Sequence, residues 1–470
     1  MNDVVIVGGG IAGLATAYEL HRRGVAFRLL ERGPRAGGVI LSEERDGFVL
    51  DGGPDALLIQ KPDGIKLCEE LGLGDRLVST KLPRLAYIQR DGRLHALPAA
   101  SVLGIPTEWG PFIATRLFSW PGKIRMGMEL FVPARTEAGD ESIGAFMTRR
   151  FGREAATYLA EPLLAGIHAG DVDRLSIRAL FPRFVEAERK HGSLLRAFRP
   201  KPSPIRNPQS AIRNSEGAFK SLPGGLSEMV RALVAALPAD AIALNTTVAR
   251  IAGSGPYRVE IEEGAPIDAR ALVLAAPAYA TASLTREFDT NLSRACDEIP
   301  YASAATVALA FRRDQVSHPL TGSGFVVPRV ENSGIMAGSW LSSKWPNRAP
   351  EGSVLLRTFV GGARDPKALE QSDGELVDVS LRALRPLLGI AGDPLFTRVF
   401  RWNRANAQHE VGHLDRLGAI DRAVARHPGL YVTGSGFRGT GIPDCVADGR
   451  ATAAQAASFL QSCNPAILQS

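Results

Sequence analysis

The chain has 470 residues, 45% hydrophobic and 22% charged, with a net charge of +6. That balance belongs to a globular chain long enough for two or three domains, and it excludes a disordered or fibrous polypeptide. The positive excess is too small for this length to imply nucleic acid; it suits an anionic small molecule or an anionic membrane face.

The opening "VVIVGGGIAGLATAYEL" places a β-branched run, suited to a strand buried on both faces, directly before a triple glycine and a helical stretch from Ile11 to Leu20. In this G-x-G-x-x-G pattern Gly8 makes the tight turn and Gly10 admits a pyrophosphate. Gly13 lets helix and strand touch, and the free amides of the helix start point at the phosphates. Gly9, Ile11 and Ala12 complete the loop. The next strand, "VAFRLLE", ends in Glu31, at the distance where an acid meets an adenosine ribose, with Arg32 following.

A second glycine turn, "RGPRAGGVI", carries Arg35, Gly37, Gly38 and Val39, and "LDGGPDAL" carries Gly53, Pro54, Asp55 and Ala56. Repeated close approach of backbone within one stretch suggests one extended ligand. "AYIQRDGRLHALP" reads as a hairpin about Asp91-Gly92. Residues 101–199 are mostly helical, with aromatic and basic residues interleaved. In "GPFIATRLFSWPGKIRMGMELFVP", Phe112, Phe118, Trp120, Met126, Met128 and Phe131, with Arg116, Lys123 and Arg125, suit a lipid interface. A polar, proline-rich loop is expected near 199–217. A helix over 226–237 and strands about 242–276 follow, the last rejoining the first sheet. Several β-like runs lie between 288 and 404, and "GLYVTGSGFRGTGIPDCVADG" repeats the strand, glycine turn and helix at the far end. Asp448 is expected to cap a final helix starting at Gly449.

Ligand contacts at both chain ends imply a discontinuous domain. The expectation is a mixed α/β fold. A Rossmann-like FAD-binding unit would comprise 1–80, 215–287 and 405–470. A substrate unit with a large mixed sheet would comprise 81–100 and 288–404, and a helical insertion 101–214. The second and C-terminal glycine motifs favour FAD over NAD. Cys68, Cys296, Cys445 and Cys463 lack paired spacing, so neither disulfide nor metal is expected, and a reducing cytoplasm fits. No run reaches about 18 apolar residues, so the chain is expected to lie at most on a membrane surface.

Together with "PLLAGIHAGDVDRLSIRALFP" and "GIPDCVADG", these motifs resemble the protoporphyrinogen oxidase and coproporphyrinogen III oxidase family of FAD enzymes over nearly the whole chain. The resemblance implies non-covalent FAD, with Gly8 to Gly13 at the pyrophosphate, Glu31 at the ribose and Val248 at the adenine. It places Arg35 to Val39 and Gly53 to Ala56 along the flavin, and Trp402, Gly434, Gly441, Ile442 and Pro443 around it. The implied reaction is six-electron oxidation of a porphyrinogen, with dioxygen as acceptor and hydrogen peroxide as product. Because the cofactor carries that chemistry, no catalytic triad or metal is nominated. The Gly166 to Gly170 turn would wall the macrocycle, with His168 as a wall residue. The family's plant and animal members place an arginine where this chain has Ala86; Arg84 is the candidate replacement for propionate binding. Coproporphyrinogen III is the favoured substrate and protoporphyrinogen IX the alternative; a downstream chelatase and a membrane surface are the other expected partners. An amine oxidase or desaturase on the same fold is a competing reading, although Gly434 is followed by Ser435 rather than glutamate. A flavin-containing porphyrin-binding protein without turnover is another.

Overall fold

Two sheets and a helical block organise the protein, seen in a computed structural model that describes residues 2–98, 101–102, 104–137, 139–199 and 217–463. The expected proline-rich loop lies, apart from its ends, outside those residues. In the first sheet the opening strand Asn2–Val7 is central and parallel to Phe27–Leu30 on one side and Ile267–Leu274 on the other. Ile242–Ala243 extends one edge in parallel, Leu430–Val432 joins Ile267–Leu274 in parallel, and Tyr257–Ile261 with Val248–Ala252 adds an antiparallel edge. Val4, Val5 and Ile6 have no exposed surface, as expected of a strand covered on both faces.

Helix Ile11–Arg22 covers one face and is crossed by the long final helix Ile442–Ser462. The crossing is close because Gly449 lacks a side chain: a Cβ there would meet the Ala12 carbonyl oxygen at 2.4 Å. The Thr16 hydroxyl uses that proximity to donate to the Gly449 carbonyl at 3.1 Å.

The second sheet runs Phe396–Ala407, Tyr301–Arg312, Ser353–Gly361, Ala337–Trp340, Gly324–Val326, Ala86–Arg90 and Arg93–Ala96. One face is covered by helix Asp373–Leu388 through Leu376, Leu384 and Leu388. The other face, with Ala308, Ala310 and Leu355, packs on Phe48 and Leu50 of the first half. The 373–388 helix escaped the β-rich reading of residues 288–404, although its Ser372/Glu375 capping box was legible.

Three expectations are corrected here. The final helix begins at Ile442, where Gly441 is the N-cap and Pro443 stands in the first turn; Asp448 lies well inside it, accepting from the Thr433 hydroxyl at 2.6 Å. The strand of the first hairpin starts at Ala86, so strand alternation does not extend to Arg84. In the helical block, Phe112, Phe118 and Met126 are core residues packed with Phe146 and Phe151. Lys123 donates to the Ile113 carbonyl at 2.7 Å and Arg125 to the Arg150 carbonyl at 2.9 Å. These short helices each bury one face against a neighbour, and the cations satisfy the backbone ends so exposed. What does face solvent is Trp120 (66% exposed), Phe131 (80%), Met128, Ile124, Trp109 and Ile113.

Candidate cofactor and substrate site

The glycine loop is shaped by two contacts that exclude side chains. Gly8 has φ +112°, and a Cβ on Gly13 would lie 2.0 Å from the Gly8 carbonyl oxygen. By contrast a Cβ on Gly10 would meet nothing within 4 Å, so the space in front of the helix start is open. Gly10 caps helix Ile11–Arg22 with no side-chain acceptor, leaving the first-turn amides of Ile11, Ala12 and Gly13 for an anion.

Glu31 closes this cradle. One carboxylate oxygen accepts from the Gly9 amide at 2.7 Å and the other from the Gly33 amide at 2.7 Å. A carboxylate has about four lone-pair sites, so one acceptor direction per oxygen remains for a diol. The second glycine turn docks here: the Gly37 amide donates to the Gly9 carbonyl at 2.7 Å, and a Cβ on Gly38 would approach the Gly10 Cα at 3.3 Å. Arg35 spends its guanidinium on this turn, donating to the Gly38 and Ile40 carbonyls at 2.6 and 3.1 Å. Arg32 and Val39 stand exposed beside it. Val248 opens the antiparallel edge strand, opposite Ile261. The open helix start, the missing Cβ of Gly10 and the free valences of Glu31 fit a dinucleotide's pyrophosphate and ribose.

Further along, the Gly52–Ala56 turn is held from the second sheet. The Trp402 indole and the Thr306 hydroxyl both donate to the Gly52 carbonyl, at 2.8 and 2.7 Å. Arg357 donates to the carbonyls of Asp51 and Gly53 at 2.7 and 2.9 Å. The carboxylate of Asp55 is buried and consumed by Lys344, the Trp345 indole and Arg357 at 2.6, 2.7 and 2.7 Å, which leaves its backbone, not its side chain, for a ligand. Although burial raises its pKa, these two cations outweigh that and hold it far below the usual carboxylate range. Pro54 and Ala56 flank it, half-buried. Of these partners only Trp402 is among the residues the resemblance names; Thr306, Lys344, Trp345 and Arg357 carried no local motif.

The C-terminal glycine motif closes the site. Gly434 has φ +119°, and Ile442 and Pro443 are buried at the start of the final helix. Two stacked imidazoles support this loop from behind, His409 and His413, 3.8 Å apart. Their Nε2 atoms meet the carbonyls of Ser435 and Phe437 at 3.0 and 2.9 Å. Burial lowers both, His409 to about 3 with the neighbouring His413 adding to it. Cys445 is a buried thiol pushed up to about 12, mainly by burial, which leaves it unreactive at neutral pH.

The Gly166–Gly170 turn meets this motif. It follows an unusual π-helical stretch, Ala156–Ala165, and is pinned from two sides: the Ala363 amide donates to the Ala169 carbonyl at 2.8 Å, and the Gln408 amide to the His168 carbonyl at 3.0 Å. A Cβ on Gly170 would strike Leu175 at 2.4 Å. The His168 ring lies against the Thr440 hydroxyl, Nδ1 to Oγ1 3.2 Å. Arg84 and Ala86 are elsewhere. Arg84 donates to the Thr80 hydroxyl at 3.0 Å, Ala86 pairs with Gly324 at the hairpin strand, and among the described residues no hydrogen bond joins either to the turn.

Residues 11–457 match the family described as flavin containing amine oxidoreductase. The chain is 36% identical over 467 residues to the coproporphyrinogen III oxidase of Bacillus subtilis, covering 98% of both chains. It is 28% identical to the mitochondrial protoporphyrinogen oxidase of Nicotiana tabacum, over 98% of this chain and 95% of that one. A solved structure from Exiguobacterium sp. 255-15 superposes with a TM-score of 0.85 at 32% identity, covering 98% and 99%. The cyclohexylamine oxidase of Brevibacterium oxydans shares the fold, with TM-score 0.70 at 18% identity.

Proposed function

The chain belongs to the flavin containing amine oxidoreductase family, and from that premise we propose that it oxidises a porphyrinogen to the porphyrin, in heme biosynthesis, with bound FAD. The observation that carries this reading is the near full-length likeness to relatives named coproporphyrinogen III oxidase in three bacteria, at 33% to 36% identity. The plant relatives named protoporphyrinogen oxidase stand at 26% to 30%. Coproporphyrinogen III is therefore the favoured substrate, with dioxygen as acceptor and hydrogen peroxide as product.

The flavin, when bound, supplies the hydride acceptor. The protein's own contribution is to hold and to exclude. Gly8 to Gly13 and Glu31 grip the dinucleotide end. The turns 35–39 and 53–56, with Trp402 and Gly441 to Pro443, frame the ring, and Gly166, His168 and Gly170 form one wall for a flat macrocycle. The three chain segments of the first sheet act as the cofactor unit, the second sheet as the substrate unit. The exposed Trp109, Ile113, Trp120, Ile124, Met128 and Phe131 of the helical block make it a membrane-touching unit through which a poorly soluble substrate enters, ahead of a chelatase that consumes the product.

Anaerobic mixing of the purified yellow protein with each porphyrinogen tests the reading: bleaching of the flavin band is expected. No bleaching with either compound removes it. Under one detergent, kcat/KM is expected to favour coproporphyrinogen III at least tenfold, about 1.4 kcal/mol of differential transition-state binding; the opposite ratio reverses the substrate choice.

A further inference from the structure

Porphyrinogen oxidation releases protons as well as hydrides, and no general base stands out in the glycine motifs. When a hydride leaves a meso carbon, a C–H bond breaks with its electron pair and an adjacent pyrrole nitrogen becomes cationic. The nitrogen lone pair forms the C=N as the hydride leaves; in the first two steps the N–H bond then breaks, its electrons remaining as the nitrogen lone pair, in the third the proton comes from the last meso carbon, and each proton must go to some acceptor. A nitrogen acid made this strong does not need a strong base; it needs a neutral one, near the macrocycle and shielded from water.

Resting on the porphyrinogen reading, we infer that His168 is that proton acceptor, poised by Thr440. Three observations converge. First, the residue is on the Gly166–Gly170 turn, which is fixed to the second sheet at Ala363, to Gln408 beyond its edge strand, and to the C-terminal glycine motif at Thr440. The imidazole therefore lies where the macrocycle-facing wall meets the motif that frames the flavin. Second, its nitrogens are unequal. Nδ1 meets the Thr440 hydroxyl at 3.2 Å, whereas Nε2 has no hydrogen-bond partner among the described residues. The Thr440 hydroxyl can accept from an Nδ1–H, and in that tautomer the Nε2 lone pair is free to take a proton; this is the tautomer the inference requires. Third, the surroundings keep the ring neutral. Burial lowers it to about 4, and the Lys61 ammonium acts in the same direction against the opposing Asp444 carboxylate. The other groups on its faces are the Phe181 ring, edge-on at 6.2 Å, and the neutral His409 beyond.

The same neighbours define how the proton leaves. Asp444 and Lys61, ion-paired at 2.7 Å at the site's outer edge, have side chains 25% and 50% exposed. Once His168 carries a positive charge, repulsion by Lys61 and the cost of burial both drive the proton outward, and Asp444 offers the nearby carboxylate. The imidazole is thereby neutral again before the next of the three two-electron steps.

The test uses the FAD-loaded protein, with His168→Gln and His168→Gly alongside wild type. With 15N-labelled histidine, the resting enzyme is expected to show His168 neutral from pH 6 to 8 with the proton on Nδ1. A ring protonated on Nε2, or charged at neutral pH, overturns the inference whatever the activity. His168→Gln is expected to lower kcat about 100-fold or more, the usual weight of a general base, with FAD content and flavin midpoint potential unchanged. In His168→Gly, added imidazole is expected to restore turnover saturably. Activity within threefold of wild type in His168→Gln, or a loss that accompanies FAD release and that imidazole does not rescue, assigns His168 a structural part only. Failure of wild type to oxidise any porphyrinogen refutes the reading on which this rests, and that outcome is separate from the loss seen in the variants.

Discussion

Glu31 is expected to govern FAD affinity more than any other side chain of the cradle. In the structure its two oxygens already accept from the Gly9 and Gly33 amides at 2.7 Å each, and each oxygen keeps one further acceptor direction. Glu31→Gln replaces one oxygen by an NH2 group. One backbone amide then confronts a donor, and one ribose hydroxyl loses a charged acceptor. A charge-assisted hydrogen bond contributes about 1.5 to 3 kcal/mol, so FAD should bind about 10- to 150-fold more weakly. Glu31→Ala removes both acceptors and also frees the loop, and its affinity should fall below that of the Gln variant. The assay is titration of the apoprotein with FAD, followed by quenching of flavin fluorescence, with Tm measured in parallel. A Glu31→Gln dissociation constant within threefold of wild type would refute the assignment of the free lone pairs to the cofactor. A lowered Tm with unchanged affinity would make Glu31 a loop brace only.

Asp55→Ala leaves Lys344, Arg357 and the Trp345 indole without their shared acceptor in the interior; breaking such a buried pair costs about 3 to 5 kcal/mol, and a urea midpoint shift worth under 1 kcal/mol would show the cluster to be dispensable. His409 is held to about 3 in the folded protein against an ordinary 6.5, so below pH 6.5 the unfolded chain takes up a proton that the native one refuses. Between pH 7 and 5 this group should cost about 2 kcal/mol of stability, and His409→Gln should flatten that part of the profile; parallel profiles would contradict it. The Trp120→Ser, Phe131→Ser double variant changes only exposed side chains. It should retain wild-type Tm while pelleting about 10-fold less with anionic vesicles; equal pelleting removes the membrane contact.

Short-range chemistry was readable directly. The β-branched run ending at Val7, the glycines that follow and Glu31 specify a strand, a turn and an acid by local sterics alone, and the structure has the amides of Gly9 and Gly33 on that acid. The hairpin about Asp91-Gly92 was legible for the same reason, with Arg90 and Arg93 paired across it. The family motifs carried the cofactor and the reaction class.

Other features depended on partners hundreds of residues away. The glycines and proline around Asp55 mark a turn but say nothing of its side chain, whose partners Lys344 and Arg357 are 289 and 302 positions distant. Phe118 and Trp120 are two residues apart in a basic, aromatic stretch, and only packing against Phe112 and its neighbours buried the first and left the second outside. The pairing of His168 with Thr440 spans 272 positions. A sequence pattern sets what each segment prefers on its own, through dihedral sterics and side-chain period. Which buried charge finds its counter-charge, and which aromatic face finds a core, is decided only when the fold brings distant segments into one low-dielectric space.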